Sequence, residues 1–246
     1  MPKQPAALIL IPGLLCDARL WAEQTRALAD IALCLTPDLT AYESIGQMVE
    51  SVLSQAPEQF SLAGFSMGGC VALEIVARAP RRVRQLALLS TSADGLMPNV
   101  RRHYQESIAS LQAGALATYL AEAYPRYVAP ERLHDSKLWR DFSVMGSDLG
   151  AAAAVRQMRA LLGYPGFSGD LGTISCPTML ICGEQDERTP VAVHELMAKR
   201  IPGSELRVIE GAGHFTPLER PSAVSAALRE CLSRIPIATR AWSSVT

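Results

Sequence analysis

The chain has 246 residues, of which 49% are hydrophobic and 19% charged, enough for one large domain or a domain with an insertion and too apolar for a disordered chain. Its 23 basic and 24 acidic residues leave a net charge of −1, which argues against nucleic acid or an anionic membrane as the principal partner. The local basic stretch Arg78 to Arg84 reads as a solvated helix end.

The apolar run Ala6 to Ile11 is too short for a signal core or a membrane span. Cys16, Cys34, Cys70, Cys176, Cys182 and Cys231 form no Cys-x-x-Cys pair. Buried free thiols in a reducing cytoplasm are therefore expected. His103, His134, His194 and His214 show no metal-ligand spacing, so no metal is expected.

Apolar runs of strand length alternate with helix-period stretches, the pattern of a parallel sheet covered by helices. The first strand is Ala7 to Ile11, stopped by Pro12-Gly13, with a helix from about Arg19 to Asp30. Ile31 to Leu35 is the second strand. Ser44 and Gln47 have the spacing of a capping box for the next helix, which Pro57 stops. Phe60 to Ala63 is the third strand, and the chain turns sharply through Gly64 to Gly69 into a helix with almost no polar face. Only Glu74 and Arg78 mark its exposed side. Val83 to Leu89, Thr178 to Cys182 and Glu205 to Ile209 complete about six strands. Thr189 is the expected N-cap of a helix entered through Pro190. The last helix carries the stripe Val224, Ala227, Leu228, Cys231 and Leu232, and the tail after Ile235 is expected to be loosely held.

Between the fourth and fifth strands, residues 95–170 lack any strand signal but hold helical stretches near 100–112, 114–123, 136–145 and 148–162. So long a connection without structure would be unusual, so a helical insertion over one edge of the sheet is expected. The sheet core then comprises 1–94 and 171–246.

The chemistry centres on Gly64-Phe65-Ser66-Met67-Gly68, placed between a strand and a helix. A serine at such a turn sits in a strained backbone conformation that projects its hydroxyl. Glycines on either side remove the Cβ atoms that would collide, and the following helix aims its unpaired N–H groups at the reaction centre. Serine needs a base, and the base an orienting acid. His214 follows the sixth strand in Gly211-Ala212-Gly213-His214, and Asp186 follows the fifth in Gly183-Glu184-Gln185-Asp186, with Glu184 and Glu187 as alternative acids. All emerge at the carboxyl edge of the sheet. His103, His134 and His194 sit in helix-like segments and read as surface groups. Backbone N–H groups of Met67 and Leu14 are the expected oxyanion donors. Cys16, beside Leu14, reads as a packing residue.

These elements resemble the α/β-hydrolase superfamily: Ile11-Pro12-Gly13 with Trp21 downstream, Gly64 to Gly69, Gly183 to Asp186, and Gly211 to His214, over residues 6 to 233. The resemblance implies a Ser66–Asp186–His214 triad, no cofactor, and a helical lid. The nearest kinds are small carboxylesterases, including those acting on methyl esters of carrier-bound acyl chains, and enol-lactonases. Three departures are visible. Pro12-Gly13 stands where many relatives have His-Gly, Asp38-Leu39-Thr40-Ala41 replaces a Pro-Gly-x-Gly loop, and the sequence starts on the strand before the oxyanion loop, without the two usual leading strands, so six strands with Ile31 to Leu35 at an edge are expected.

The insertion offers Met97, Tyr104, Tyr119, Tyr124, Tyr127, Trp139, Phe142, Met145, Met158 and Leu162 as candidate pocket or lid-core residues. Arg101, Arg102, Arg126, Arg156 and Arg159 read as solvated faces, two of which could meet an acidic carrier protein or a carboxylate. The expected activity is serine hydrolysis of a small, largely apolar ester or lactone. Acyl transfer, C–C bond hydrolysis and perhydrolysis are the alternatives on the same triad, and a non-catalytic ligand sensor is the alternative of another class. A homodimer is left open. Serine at 66 argues against dehalogenation and epoxide hydrolysis, which in this superfamily need a carboxylate nucleophile.

Overall fold

The computed structural model describes residues 6–234, so the tail after Ile235 lies outside the described residues. Strands Ala6–Ile11 (β1), Ala32–Leu35 (β2), Phe60–Phe65 (β3), Val83–Leu89 (β4), Thr178–Gly183 (β5) and Glu205–Ile209 (β6) form one parallel sheet in the order β2-β1-β3-β4-β5-β6. Every residue of β3 and β5 is buried. Successive strand side chains point to opposite faces, so both faces of the sheet are covered. β2 lies at one edge and β6 at the other, and both keep exposed positions.

Helices Ala22–Leu28 (α1), Ile45–Gln55 (α2) and Met67–Arg78 (α3) alternate with the first strands. α2 packs on α3, while α1 packs on the last helix, Pro221–Ser233. The Ser44 hydroxyl accepts the Gln47 N–H at 3.2 Å. The Gln47 side chain returns to the N–H of Glu43 at 3.1 Å, one residue earlier than a capping box requires. Nine of the twelve residues of α3 are buried, in keeping with its apolar circumference.

Between β4 and β5 the chain forms helices Pro98–Gln112 (α4), Leu116–Ala123 (α5) and Ser136–Leu162 (α6). The two stretches expected at 136–145 and 148–162 run on as one helix, bent at Gly150, whose φ of 80° only glycine adopts readily. Where the segment leaves and rejoins the sheet, the Phe167 N–H donates to the Ala93 carbonyl at 2.7 Å. Its arginines hold it together and to the loop between β2 and α2. Arg101 donates to the Leu162 carbonyl at 2.7 Å and Arg156 to the Thr40 carbonyl at 2.7 Å, and Arg159 pairs with Glu43 at 3.2 Å.

After β5 come Val191–Arg200 (α7), the short Thr216–Glu219 (α8) and Pro221–Ser233 (α9). α7 is entered from Pro190, and Thr189 does not cap it, because its side chain is engaged elsewhere. Val224, Ala227, Leu228 and Cys231 of α9 are buried and Leu232 half-buried. All six cysteines are unpaired; five are buried and Cys34 is half-buried. Among the described residues no helix is long and apolar enough to cross a membrane.

Candidate active site

Because the strands are parallel, the loops following β1, β3, β4, β5 and β6 gather at one edge of the sheet. β3 ends in Phe65, and Ser66 follows with φ 52° and ψ −115°, a conformation costly for any residue but glycine. It persists because its surroundings over-determine it. The Ser66 N–H donates to the Leu89 carbonyl at 2.9 Å, and the Ser66 carbonyl accepts from the Gly69 N–H and the Thr91 hydroxyl, each at 2.8 Å. A Cβ on Gly64 would run into the Gly68 carbonyl, and one on Gly68 into the Ile11 carbonyl. Both glycines are therefore required by close approach of backbone to backbone.

The Ser66 hydroxyl lies 3.0 Å from His214 Nε2, and His214 Nδ1 lies 2.9 and 3.0 Å from the two Asp186 oxygens. His214 and Asp186 are buried, while Ser66 stays partly open. Of the alternative acids, Glu184 accepts the Gly211 N–H at 3.2 Å and Glu187 is exposed, so Asp186 is the carboxylate that meets the imidazole. Burial opposes ionisation of Asp186. The His214 charge and hydrogen bond, with the Thr189 N–H and hydroxyl, outweigh it and bring the carboxyl down to about 2. A hydroxyl, an imidazole and a carboxylate joined in this order can pass the hydroxyl proton to Nε2 and hold the resulting cation.

Met67 directly follows Ser66 and Leu14 lies in the loop after β1; both are buried, and their backbone N–H groups have no acceptor among the described residues. The next residue, Leu15, has φ 53° and donates its N–H to the Gln157 side chain at 2.8 Å. The Cys16 thiol donates to the Leu14 carbonyl at 3.4 Å, and burial raises its pKa far above the range of a reactive thiol.

The His214 loop is fixed from the other side. Buried Glu219 accepts the N–H of Gly213 at 3.0 Å and that of Ala129 at 2.7 Å, and the Phe215 N–H donates to the Tyr127 carbonyl at 2.9 Å. One carboxylate thus joins the His214 loop to the chain between α5 and α6. Above the imidazole, Phe65 and Tyr127 lie with ring centroids 5.2 and 5.4 Å away, and Tyr127 continues into a cluster with Phe142, Tyr124 and Trp139.

Ser66 and His214 open on a cavity of about 340 Å³ lined by apolar residues such as Leu96, Met97, Val100, Leu161 and Val193. Of the ten residues of the insertion offered for the pocket, Met97 and Tyr104 line this cavity, and Tyr119, Phe142, Met145 and Met158 are buried elsewhere in the insertion. A larger groove of about 730 Å³ between α6 and α8 does not reach Ser66 or His214.

The expectation for one histidine is corrected. His194 is no surface group but fully buried, with Nδ1 at 3.3 Å from the Pro190 carbonyl and Nε2 accepting the Thr91 N–H at 3.2 Å. Burial lowers its pKa, as the acceptor role of Nε2 requires of a neutral ring. His194, Gln157 and Glu219, together with Arg188, were not anticipated as site residues. His194 and Gln157 each left a trace, a polar residue on an otherwise apolar helical stripe: His194 with Met197 and Ile201, and Gln157 with Ala153, Ala154, Ala160 and Leu161.

The Alpha/beta hydrolase family matches residues 8–227 of the chain. A pimeloyl-acyl-carrier-protein methyl ester esterase of Nitrosomonas europaea is 26% identical over 196 residues, covering 74% of this chain and 74% of its own. Among solved structures, a thermophilic esterase from Thermogutta terrifontis aligns with a TM-score of 0.84 at 24% identity, over 92% of this chain and 88% of its own. The enol-lactonase of Burkholderia xenovorans aligns with a TM-score of 0.84 at 18% identity, over 94% of this chain and 93% of its own.

Proposed function

The chain belongs to the α/β-hydrolase family, and from that premise we propose that it hydrolyses a carboxylic ester or lactone of a small, largely apolar substrate through an acyl-enzyme on Ser66. The observation that carries this reading is the unbroken relay from Ser66 through His214 to Asp186, with the serine open to an apolar cavity.

In this reading His214 Nε2 takes the Ser66 proton as Oγ attacks the carbonyl carbon, while Nδ1–H remains on Asp186. The oxyanion accepts the N–H groups of Leu14 and Met67. The imidazolium returns the proton to the leaving alcohol, and the acyl group stays on Ser66. A water then gives its proton to His214 and attacks the acyl carbon. Serine recovers its hydrogen from His214 as the acid leaves. Each step uses groups of this chain together with substrate and water.

Residues 95–170 act in this scheme as a lid that shapes the acyl side of the cavity through Met97, Val100, Tyr104 and Leu161. Exposed Arg102 and Arg126 offer positive charge to an acidic carrier protein, a partner that the name of the Nitrosomonas relative suggests. Six free cysteines accord with work in a reducing cytoplasm.

The test is a panel of esters, lactones and thioesters of graded chain length, run beside a serine-reactive phosphonate whose adduct is mapped by mass spectrometry. Labelling on Ser66 and turnover that peaks at short acyl length are the expected results. A phosphonate adduct on another residue, or none, sinks the assignment.

A further inference from the structure

Arg188 follows Asp186 by two residues and lines the cavity into which Ser66 opens. Its guanidinium stacks on the Tyr127 ring, 4.5 Å from the centroid, and donates one N–H to the Tyr104 hydroxyl at 3.0 Å. Those contacts set its plane and direction without neutralising it. Among the described residues no carboxylate oxygen lies within 4.0 Å of its nitrogens, whereas Arg132 and Arg234, half-buried like it, are each paired with one. The guanidinium nitrogens not given to Tyr104 are not sealed away, so the half-buried side chain keeps donors available at the cavity wall.

The surroundings sharpen the point. The other acidic and basic side chains lining this cavity, the His214 imidazole aside, are Arg126, Asp94 and Glu187, and all three are exposed. The charge that reaches inward is the cation. Tyr104 is buried and its hydroxyl accepts from Arg188, which leaves the hydroxyl hydrogen itself without an acceptor among the described residues. Burial pushes the Tyr104 hydroxyl up to about 12, so it keeps that hydrogen near neutral pH. A guanidinium fork beside a phenol O–H is a donor set for one planar, singly charged acceptor. Asp94 and Glu187 at the rim disfavour a dianion.

Tyr127 also sets the spacing. Its ring centroid is 5.4 Å from that of His214 and 4.5 Å from the guanidinium carbon, so imidazole and guanidinium are at most about 10 Å apart, the sum of those separations. An anion held by Arg188 therefore sits within a short acyl chain of the carbonyl that Ser66 attacks.

We propose that Arg188 and Tyr104 form a carboxylate subsite, and that the preferred substrate is an ester or lactone whose acyl part ends in a free carboxylate, as in the hemiester of a short dicarboxylic acid. This rests on the ester-hydrolase reading for its chemistry, but the subsite itself is testable without turnover. The cavity is apolar along its walls and cationic at one inner point, which matches an acyl chain with an anionic end.

Two measurements decide it. In the first, kcat/KM is compared for the methyl hemiesters of succinic, glutaric and adipic acids and for neutral methyl esters of the same chain length. The wild-type chain should favour at least one hemiester, and Arg188→Met should reduce that preference about 10- to 100-fold, mainly through KM, with Arg188→Lys in between. A wild-type preference for the neutral esters, or an Arg188→Met variant that lowers both series alike, overturns the proposal and leaves Arg188 a support for the Asp186 loop. In the second, calorimetry measures binding of monomethyl glutarate to Ser66→Ala and to Ser66→Ala with Arg188→Met. The double variant should bind about 10-fold or more weakly; equal affinity, or no binding to either, refutes the subsite. Binding that depends on Arg188 with no hydrolysis of any ester would instead refute the catalytic reading and keep the subsite.

Discussion

Gln157 of α6 accepts the backbone N–H of Leu15 at 2.8 Å across 142 residues of chain, and both are buried. Leu15 directly follows Leu14, whose N–H we assign to the oxyanion. Replacing Gln157 with leucine leaves a buried donor unpaired, which costs about 1–3 kcal/mol, and frees a loop held at positive φ. The expected outcome is a kcat about 10- to 100-fold lower on an activated ester with KM nearly unchanged, because donors must be in place before charge develops. A rise in KM alone would assign Gln157 to substrate binding.

Ser66→Ala should lower turnover of an activated ester by about 10⁴-fold or more. Met67→Ala should be mild, since the backbone supplies the donor. Steady-state rates for both, with circular dichroism to verify folding, check the pair. Comparable collapse in a folded Met67→Ala would contradict the oxyanion assignment.

Asp186→Asn keeps the shape of the side chain but presents an N–H to His214 and loses the charge that orients the ring. A fall in kcat of about 10⁴-fold is expected from this change of tautomer. The carboxyl is held at about 2 against an ordinary 3.8, so the stabilisation from its ionised form is complete above about pH 4 and drains away as pH falls toward 2. Acid unfolding of the wild type should therefore steepen in that window, and Asp186→Asn should lose that component. Superimposable curves of melting temperature against pH would reject it.

His194 gives a second, milder window. Its pKa in the folded chain is lowered by burial, so the unfolded chain takes the proton first as pH falls. The stabilisation is fully present above about pH 6.5 and is lost progressively below it. His194→Gln cannot titrate, so its melting temperature should decline less than that of the wild type between about pH 7 and 5. Equal slopes would show that the ring contributes nothing to acid sensitivity.

How much of this was legible beforehand follows from which interactions are local. The strands were readable because buried parallel strands are short apolar runs closed by turn residues, as Phe60–Phe65 and Thr178–Gly183 are. Ser66, Asp186 and His214 were each nominated by a strand end and a glycine-bearing turn, and the structure brings the three side chains within hydrogen-bonding distance. Arg188 carried no comparable mark. Its direction depends on Tyr104 and Tyr127, which the fold brings to it from across the chain, so a window around it shows only a charged turn. The reading of His194 as exposed failed because a polar residue in a helix was weighed alone, without its buried neighbours Met197 and Ile201 on the same face.

Glu219 bears on a different question, how such enzymes acquire new specificities. Exchange of the inserted segment between relatives is an obvious engineering route, since the loops of the sheet carry Ser66, Asp186 and His214. Here the carboxylate of Glu219 grips Ala129 of the segment and Gly213 beside His214 at the same time. A transplanted segment that offers no N–H at the place of Ala129 would strand half of that buried carboxylate and loosen the loop bearing His214. Residues 95–170 are thus not an independent cassette. A working chimera has to inherit position 219 and the backbone around 129 as a matched set, and libraries confined to the segment alone will pass through many variants impaired at the imidazole before any reports on the substrate.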